Sequence, residues 1–190
     1  YKIQVLDELD HLDLENNTIV VLWSYHGWHL GEHTMFGKMS NFEIATRSPL
    51  IIRIPGSINK GLELNHLTES IDIYPTLAEL CGLDYPDNLD GESILDILKN
   101  PDKDGPEFAR SFYYRKQALG QALRPERYRM VRWATENDST LALELYDHRL
   151  DPNENINTAA EQKELVDSLL EQLKTVKFMD EGMPFQKGWE

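Results

Sequence analysis

Apolar positions along the chain follow two regimes. Up to about residue 100, short charge-free runs alternate with segments of helical spacing; beyond about residue 105 the period shortens to two, as in half-buried strands. Ile3, Val5, Leu6 and Leu9 lie close to helical spacing and Glu15-Asn16-Asn17 ends the pattern, so a helix is expected over residues 1–12, feeding a parallel strand. That strand is Ile19-Val20-Val21-Leu22-Trp23, which is short, β-branched and uncharged and reads as a central strand covered on both faces. Pro49 to Ile54 forms a second apolar strand ended by Pro55-Gly56, and a helix is expected around Pro75 to Leu80, with its proline in the first turn and Gly82 as its stop. These pieces make a βα-type layer.

Between Pro101 and Gly105 the composition turns to Pro, Asp, Lys and Gly, which marks a subdomain boundary. Past it, Phe108–Tyr114, Ala118–Leu123, Tyr128–Trp133 and Leu141–Tyr146 read as antiparallel strands joined through Arg124-Pro125-Glu126 and Glu136-Asn137-Asp138-Ser139. A helix is expected to close this sheet, beginning with the capping-box pattern Thr158-Ala159-Ala160-Glu161 and burying Leu165, Leu169, Leu170, Leu173 and Val176. Asp180 to Glu190 has no strong period and reads as an irregular tail, and no internal repeat is evident.

Composition narrows the classes. The 190 residues suffice for one compact domain or two small ones, and the start at Tyr1 in helical register suggests a piece of something longer. A formal charge of −14, from 33 acidic and 19 basic residues, opposes binding to nucleic acid or acidic membrane surfaces, and no apolar run is long enough to span a bilayer. The lone Cys81 cannot form an internal disulfide and, at an apolar helix end, reads as a packing residue. Arg110, Arg115, Lys116, Arg124, Arg127, Arg129 and Arg132 gather in one interval; they form either the solvated face of two strands or a rim that steers an anionic ligand.

Candidate chemistry concentrates just beyond the first apolar run, where Ser24-Tyr25-His26-Gly27-Trp28-His29-Leu30-Gly31-Glu32-His33 is followed by Lys38 and Asn41-Phe42-Glu43. Sites in open α/β sheets lie beyond the carboxyl ends of strands. His26 supplies an imidazole and Lys38 a fixed positive charge, while Gly27 and Gly31 allow sharp backbone turns between them. His26, His29 and His33 would share a face if the loop were helical, which is the pattern of a zinc cluster, although the two glycines oppose a regular helix.

This segment closely resembles the sulfatase family of the alkaline phosphatase superfamily, in particular its iduronate-2-sulfatase-like branch, whose late motif runs Ser-Asp-His-Gly-Trp-x-Leu-Gly-Glu-His and then a Lys before Asn-Phe. The likeness continues in order through Ala45–Ile52, Ile71-Asp72-Ile73-Tyr74-Pro75-Thr76-Leu77, Leu89-Asp90-Gly91-Glu92-Ser93, Arg127-Tyr128-Arg129, Leu145-Tyr146-Asp147 and Asp151-Pro152. Only the C-terminal part of a sulfatase is matched. The family's early Cys/Ser-x-Pro-x-Arg motif, which carries the formylglycine nucleophile, and its N-terminal metal-binding aspartate pair are absent.

The resemblance implies an α/β fold: residues 1–104 as the C-terminal part of a mixed-sheet catalytic domain, then residues 105–190 as a small α+β subdomain of about four antiparallel strands and a helix. An exposed sheet edge and a sizeable apolar surface should follow. It also implies a sulfuric ester hydrolase acting on a sulfated carbohydrate with formylglycine and a calcium ion, in partnership with the missing N-terminal part, and a periplasmic, secreted or lysosomal location. His26 and Lys38 would be the catalytic residues, Lys38 and Trp28 would face the substrate, and His26 with Tyr25 would occupy metal-ligand positions. Tyr25 stands where the family has its aspartate, so a neutral phenol replaces a carboxylate of the kind calcium prefers. Two further readings stand beside this one. One is a catalytically dead sulfatase-like binding or scaffold module, favoured by Tyr25; the other is a phosphoesterase or phosphonate hydrolase of the same superfamily.

Overall fold

A computed structural model describes residues 2–176. The chain opens with helix α1 (Lys2–His11), and a single 3-10 turn at Glu15–Asn17 leads into strand β1 (Val20–Trp23). A short hairpin, β2 (His29–Leu30) and β3 (Phe36–Gly37), and the one-turn helix α2 (Glu43–Thr46) fill the interval before β4 (Leu50–Arg53). Helices α3 (Ile73–Leu80) and α4 (Leu95–Lys99) follow. The second half holds β5 (Phe108–Arg115), β6 (Ala118–Pro125), β7 (Tyr128–Ala134) and β8 (Thr140–Asp147), then helix α5 (Lys163–Thr175).

The C-terminal unit matches its expected form strand for strand. It is an antiparallel sheet in the order β5-β6-β7-β8, with Ala122 opposite Val131 and Met130 opposite Leu145. The alternation of apolar residues sends Leu123, Met130 and Leu145 to one face, where they are fully buried against Val166, Leu169 and Leu173 of α5. Val166 replaces Leu165 and Leu170 as the helix's deepest contact; those two and Val176 pack at the margin. The capping box is not used. Helix α5 starts only at Lys163, and the Thr158 hydroxyl instead donates to the Leu145 carbonyl at 3.1 Å, tying the preceding turn to the end of β8. The proposed tail from Asp180 lies outside the described residues.

The N-terminal unit differs from expectation in its strand pairing. Among the described residues β1 pairs only with β4, antiparallel, with Val20 opposite Arg53 and Trp23 opposite Leu50. Leu22, Trp23 and Ile51 are exposed, so the strand expected to be central and covered on both faces is open here. A charge-free run predicts burial but carries no information about strand direction or which segment covers it. Ile3, Val5 and Leu6 of α1 are likewise exposed, which extends the apolar surface. Cys81, expected to pack, is exposed at the end of α3. Gly82, at φ +65°, does end that helix, where the Leu83 N–H donates to the Ala78 carbonyl at 2.9 Å.

Two blocks of the sulfatase likeness meet at α3 and perform structural work. The Asp72 carboxylate accepts from the backbone N–H groups of Glu69 at 2.7 Å and Glu92 at 2.9 Å, and the Ile94 N–H donates to the Thr76 hydroxyl at 3.0 Å. A side chain at Gly91 would lie 2.3 Å from the Ile71 carbonyl oxygen, so only glycine fits this junction. Burial pushes the Asp72 carboxyl above its ordinary range despite its two backbone donors.

The sheet–helix core sets a direct comparison. Leu145→Ala should cost about 2–5 kcal/mol of stability, because Leu145 is fully buried under α5. Leu141→Ala, at an exposed position four residues away on the same strand, should change it by less than ~0.5 kcal/mol. Denaturant unfolding of both variants measures the difference.

Candidate functional site

The hairpin β2–β3 folds the motif back on itself. Ser24 extends the β1–β4 pairing by donating its N–H to the Pro49 carbonyl at 3.1 Å, and the Gly27 N–H donates to the Ala45 carbonyl at 2.8 Å. Gly27 serves close approach rather than a sharp turn: a Cβ there would lie 1.8 Å from the Ile44 carbonyl oxygen, inside α2. Gly31, at φ +132°, does make a turn. His29 pairs with Gly37 across the hairpin, and this pairing returns the chain so that Lys38 comes back beside Tyr25.

Tyr25, His26, Trp28 and Lys38 therefore gather on one surface at the end of β1. The Lys38 ammonium lies 4.9 Å from the centre of the Tyr25 ring, the rings of Tyr25 and His26 meet edge to face at 4.1 Å, and those of His26 and Trp28 are 5.9 Å apart. Lys38 makes no ion pair among the described residues. His26 Nδ1 lies 2.6 Å from the carbonyl oxygen of Gly27. A carbonyl only accepts, so Nδ1 carries the proton and Nε2 presents the lone pair. Tyr25 is 68% exposed and Trp28 51%, which leaves both open to a ligand.

The other half of the motif turns inward. His29 is buried and its two nitrogens meet the Ser40 hydroxyl at 2.8 Å and the Glu32 carbonyl at 3.3 Å. His33 stacks on Phe42 with ring centres 3.8 Å apart and donates from Nε2 to the carbonyl oxygens of Asn153 at 2.9 Å and Glu154 at 3.2 Å. The loop is not helical, and His26, His29 and His33 do not assemble as a zinc cluster: hydrogen bonds within the fold occupy the last two. Glu32 fixes the turn, its carboxylate accepting from the Leu30 N–H at 2.6 Å, which with other backbone N–H bonding holds it below the usual range. Asn41 is buried, donates to the Gly120 carbonyl at 3.0 Å and so anchors the segment on the C-terminal sheet.

Beneath this anchor lies an ionic cluster with no counterpart in the sequence expectations. Arg129, 2% exposed, donates from Nε to Glu154 at 2.7 Å and from Nη2 to Glu43 and to the Thr46 hydroxyl, the last at 3.0 Å. Glu154 also meets His148 Nε2 at 2.6 Å and accepts from the Glu43 backbone N–H at 2.6 Å. Arg124 donates to Glu43 at 3.0 Å. Burial pushes the Glu43 carboxyl up, but the charges and hydrogen bonds of Arg129 and Arg124 outweigh it and hold it below the ordinary range. Glu154 keeps a left-handed backbone at φ +56°, unfavourable for a residue with a side chain and sustained by these contacts.

The same pairing settles much of the arginine interval. Arg110 pairs with Glu69, Arg124 and Arg129 with Glu43, Arg127 with Asp147 and Arg132 with Asp138. These five arginines do not form a free basic rim, because carboxylates from α2, from the segment before α3, from the end of β8 and from the β7–β8 turn meet them. Position along a strand predicts which way a side chain points, not which acid another element brings to it.

The residues do not make a calcium site by themselves. Calcium takes about 6–8 oxygen ligands, many of them carboxylate. Beside His26 this surface offers a phenol and an ammonium. Among the described residues, Glu43, His148 and Glu154 could form a metal-ligand group, but the Arg129 guanidinium already bridges its two carboxylates. That group is an ion-pair cluster.

Residues 31–178 match the family described as N-sulphoglucosamine sulphohydrolase, C-terminal. The chain is 30% identical over 193 residues to the N-acetylglucosamine-6-O-sulfatase of Bacteroides thetaiotaomicron, covering 93% of this chain and 34% of that protein. It is 37% identical over 106 residues to the iduronate 2-sulfatase of Mus musculus, covering 43% of this chain and 19% of the relative. A solved structure in complex with its substrate D-glucosamine-2-N,6-O-disulfate superposes with a TM-score of 0.75 at 28% identity, over 97% of this chain and 39% of that one. The chain thus spans about a third of the length of the first of these relatives.

Removing the buried guanidinium tests the anchor. Arg129→Ala should lower stability by about 3–5 kcal/mol, because it strands Glu154 and Glu43 as partly or fully buried acids. A second outcome follows from Glu43. Its pKa is lower folded than unfolded, so its contribution is fully present above the unfolded value, near ~4.3, and is lost as pH falls through the folded value. Acid titration of the unfolding midpoint should show that loss in the parent chain, and a smaller one in Arg129→Ala.

Proposed function

The chain belongs to the sulfatase family, as a C-terminal part of it, and from that premise we propose that the complete protein hydrolyses sulfate esters of carbohydrates, with His26 and Lys38 forming one wall of the pocket. The N-acetylglucosamine-6-O-sulfatase relative and the substrate-bound structure support a sulfated sugar as the substrate class. The Trp28–His33 motif and the iduronate 2-sulfatase match support placement in the iduronate-2-sulfatase-like branch. Residues 1–104 would complete the catalytic α/β domain and residues 105–190 would form its supporting subdomain. The exposed apolar surface of α1, β1 and β4 is where the rest of that domain would pack.

The observation that carries this reading is the juxtaposition at the end of β1 of an ammonium without an ion pair among the described residues and an imidazole whose Nε2 lone pair is defined by the Nδ1 bond to Gly27. An ammonium is a compact point charge suited to the sulfuryl oxygens, whose negative charge grows as the ester bond breaks. Nε2 is suited to hold or pass a proton at the ester oxygen, and the Nδ1 bond keeps the ring in the tautomer that can do so. Trp28, exposed beside His26, offers an apolar face to the sugar. Formylglycine, by resemblance, belongs to the part of the family not matched here and would supply the nucleophile.

Tyr25 supports the second reading, a sulfatase-like module that binds sulfated sugars without turnover, because it removes a carboxylate from the metal position. Sulfate release separates the two. The complete protein should release sulfate from glucosamine 6-sulfate, and Lys38→Ala should lower kcat/KM by roughly a hundredfold or more if the ammonium meets the developing charge. The isolated 190-residue chain should release none. Binding of the ester with no release by the complete protein would select the non-catalytic module.

A further inference from the structure

His29 stands at the one position of the Ser24–His33 motif that the sulfatase likeness leaves unspecified, yet it is 1% exposed and both nitrogens of its ring are engaged. Its backbone pairs with Gly37 across the hairpin, and its Nε2 meets the Ser40 hydroxyl at 2.8 Å. One residue thus grips the chain on both sides of Lys38. Nδ1 faces the Glu32 carbonyl at 3.3 Å, and a carbonyl only accepts, so Nδ1 carries the proton and Nε2 accepts from Ser40. The rings of His33 and Phe42 meet the imidazole edge to face at 5.6 and 5.9 Å, which leaves it little room to turn. The Ser40 N–H in turn donates to the Lys38 carbonyl at 2.9 Å and closes a three-residue turn. The ammonium itself rests only over the exposed ring of Tyr25, a weak tether, so its place depends on where the backbone starts the side chain.

We propose that His29 is a positioning residue for Lys38: paired with Gly37 through its backbone and with the Ser40 hydroxyl through its ring, it fixes the bend from which the ammonium projects. The inference rests on the functional reading above for the use to which the ammonium is put, and it adds a buried imidazole that acts through Ser40 without touching the ligand. His29, Gly37, Lys38 and Ser40 all belong to one hairpin and its exit, so the device is complete within this stretch of chain. Its effect on rate is large for a single hydrogen bond, because displacing a reacting group by about 1 Å can cost about a hundredfold. A histidine that served packing alone would affect stability, and its loss would be felt equally with or without the lysine.

The test is a double-mutant cycle in the complete protein, read by sulfate release from glucosamine 6-sulfate. Ser40→Ala removes the hydroxyl that His29 holds and should lower kcat by at least about fivefold with KM within about twofold. Ser40→Thr, which keeps a hydroxyl, should stay within about threefold of the parent. His29→Phe keeps a ring in the buried site and should lose at least as much as Ser40→Ala; should it fail to fold, Ser40→Ala carries the same test. In a Lys38→Ala background Ser40→Ala should have no further effect beyond about twofold. A second readout needs no turnover: in the complete protein with isotope-labelled lysine, the Tyr25 ring shifts the Lys38 side-chain resonances, identified by their loss in Lys38→Ala, and Ser40→Ala should move them toward exposed-lysine values. Equal losses from Ser40→Ala with and without Lys38, or Lys38 resonances unchanged by Ser40→Ala, would overturn the proposal and leave the functional reading standing. A parent protein that releases no sulfate would overturn the catalytic reading, and the resonance comparison would then decide the positioning role on its own.

Discussion

A guanidinium with almost no access to water holds the two halves of this chain in register. Burying an unpaired Arg129 would cost several kcal/mol, so the side chain is stable inside only when Glu43, Glu154 and Thr46 all reach it. Those partners come from α2, from the loop after β8 and again from α2, while the arginine itself stands on β7. The requirement is collective. Remove any one element and the remaining charges are stranded, so α2 cannot slide along the C-terminal sheet or shift by a residue without breaking the set. Glu154 shows the same pressure in its backbone, which stays left-handed because its carboxylate is held by Arg129, His148 and the Glu43 N–H at once.

That constraint reaches the candidate site through a short covalent path. Helix α2 follows Asn41 and Phe42, and its carbonyl at Ala45 receives the Gly27 N–H, one residue from His26. His33 and Asn41 pin the two ends of the hairpin segment to the sheet region, and between them the backbone presents Lys38 to Tyr25. The motif thus divides by role. His29, Glu32, His33, Asn41, Phe42 and Glu43 hold the loop, and Tyr25, His26, Trp28 and Lys38 face outward from it. Gly27 belongs to the first group although it adjoins the second, because any side chain there would collide with α2.

Period-two alternation was enough to read all the strands of the C-terminal sheet from the sequence, since a half-buried sheet writes its faces directly into residue order. The one-turn helices did not announce themselves: α2 and α4 are too short for a 3.6-residue period to show. Likewise β1 could be recognised as a strand, while its antiparallel partner and its exposed side chains could not, because both depend on distant segments. In the candidate site, motif and residue chemistry singled out His26 and Lys38, and the structure brings both beside Tyr25 at the end of β1. Glu154 was not singled out, since nothing in Asn153-Glu154-Asn155 distinguishes a buried acid from a solvated loop; only its assembly with Arg129 does. The arginines carried the opposite error, since a run of like charges reads as a surface until the acids that meet it are placed.

The chain's strong acidity sharpens the contrast between those arginines and Lys38. In a protein with 33 acidic against 19 basic residues, a cation close to a carboxylate is the ordinary outcome, and Arg110, Arg124, Arg127, Arg129 and Arg132 all reach one. Lys38 instead rests over an aromatic ring. A carboxylate at position 25 would sit within reach of that ammonium and, lacking a second cation, would satisfy it internally and close it to an incoming anion. The phenol cannot do so: its ring polarises toward the cation but leaves the N–H donors unspent. Position 25 thus bears directly on the lysine, because its aromatic ring leaves unspent the N–H donors that a carboxylate would engage.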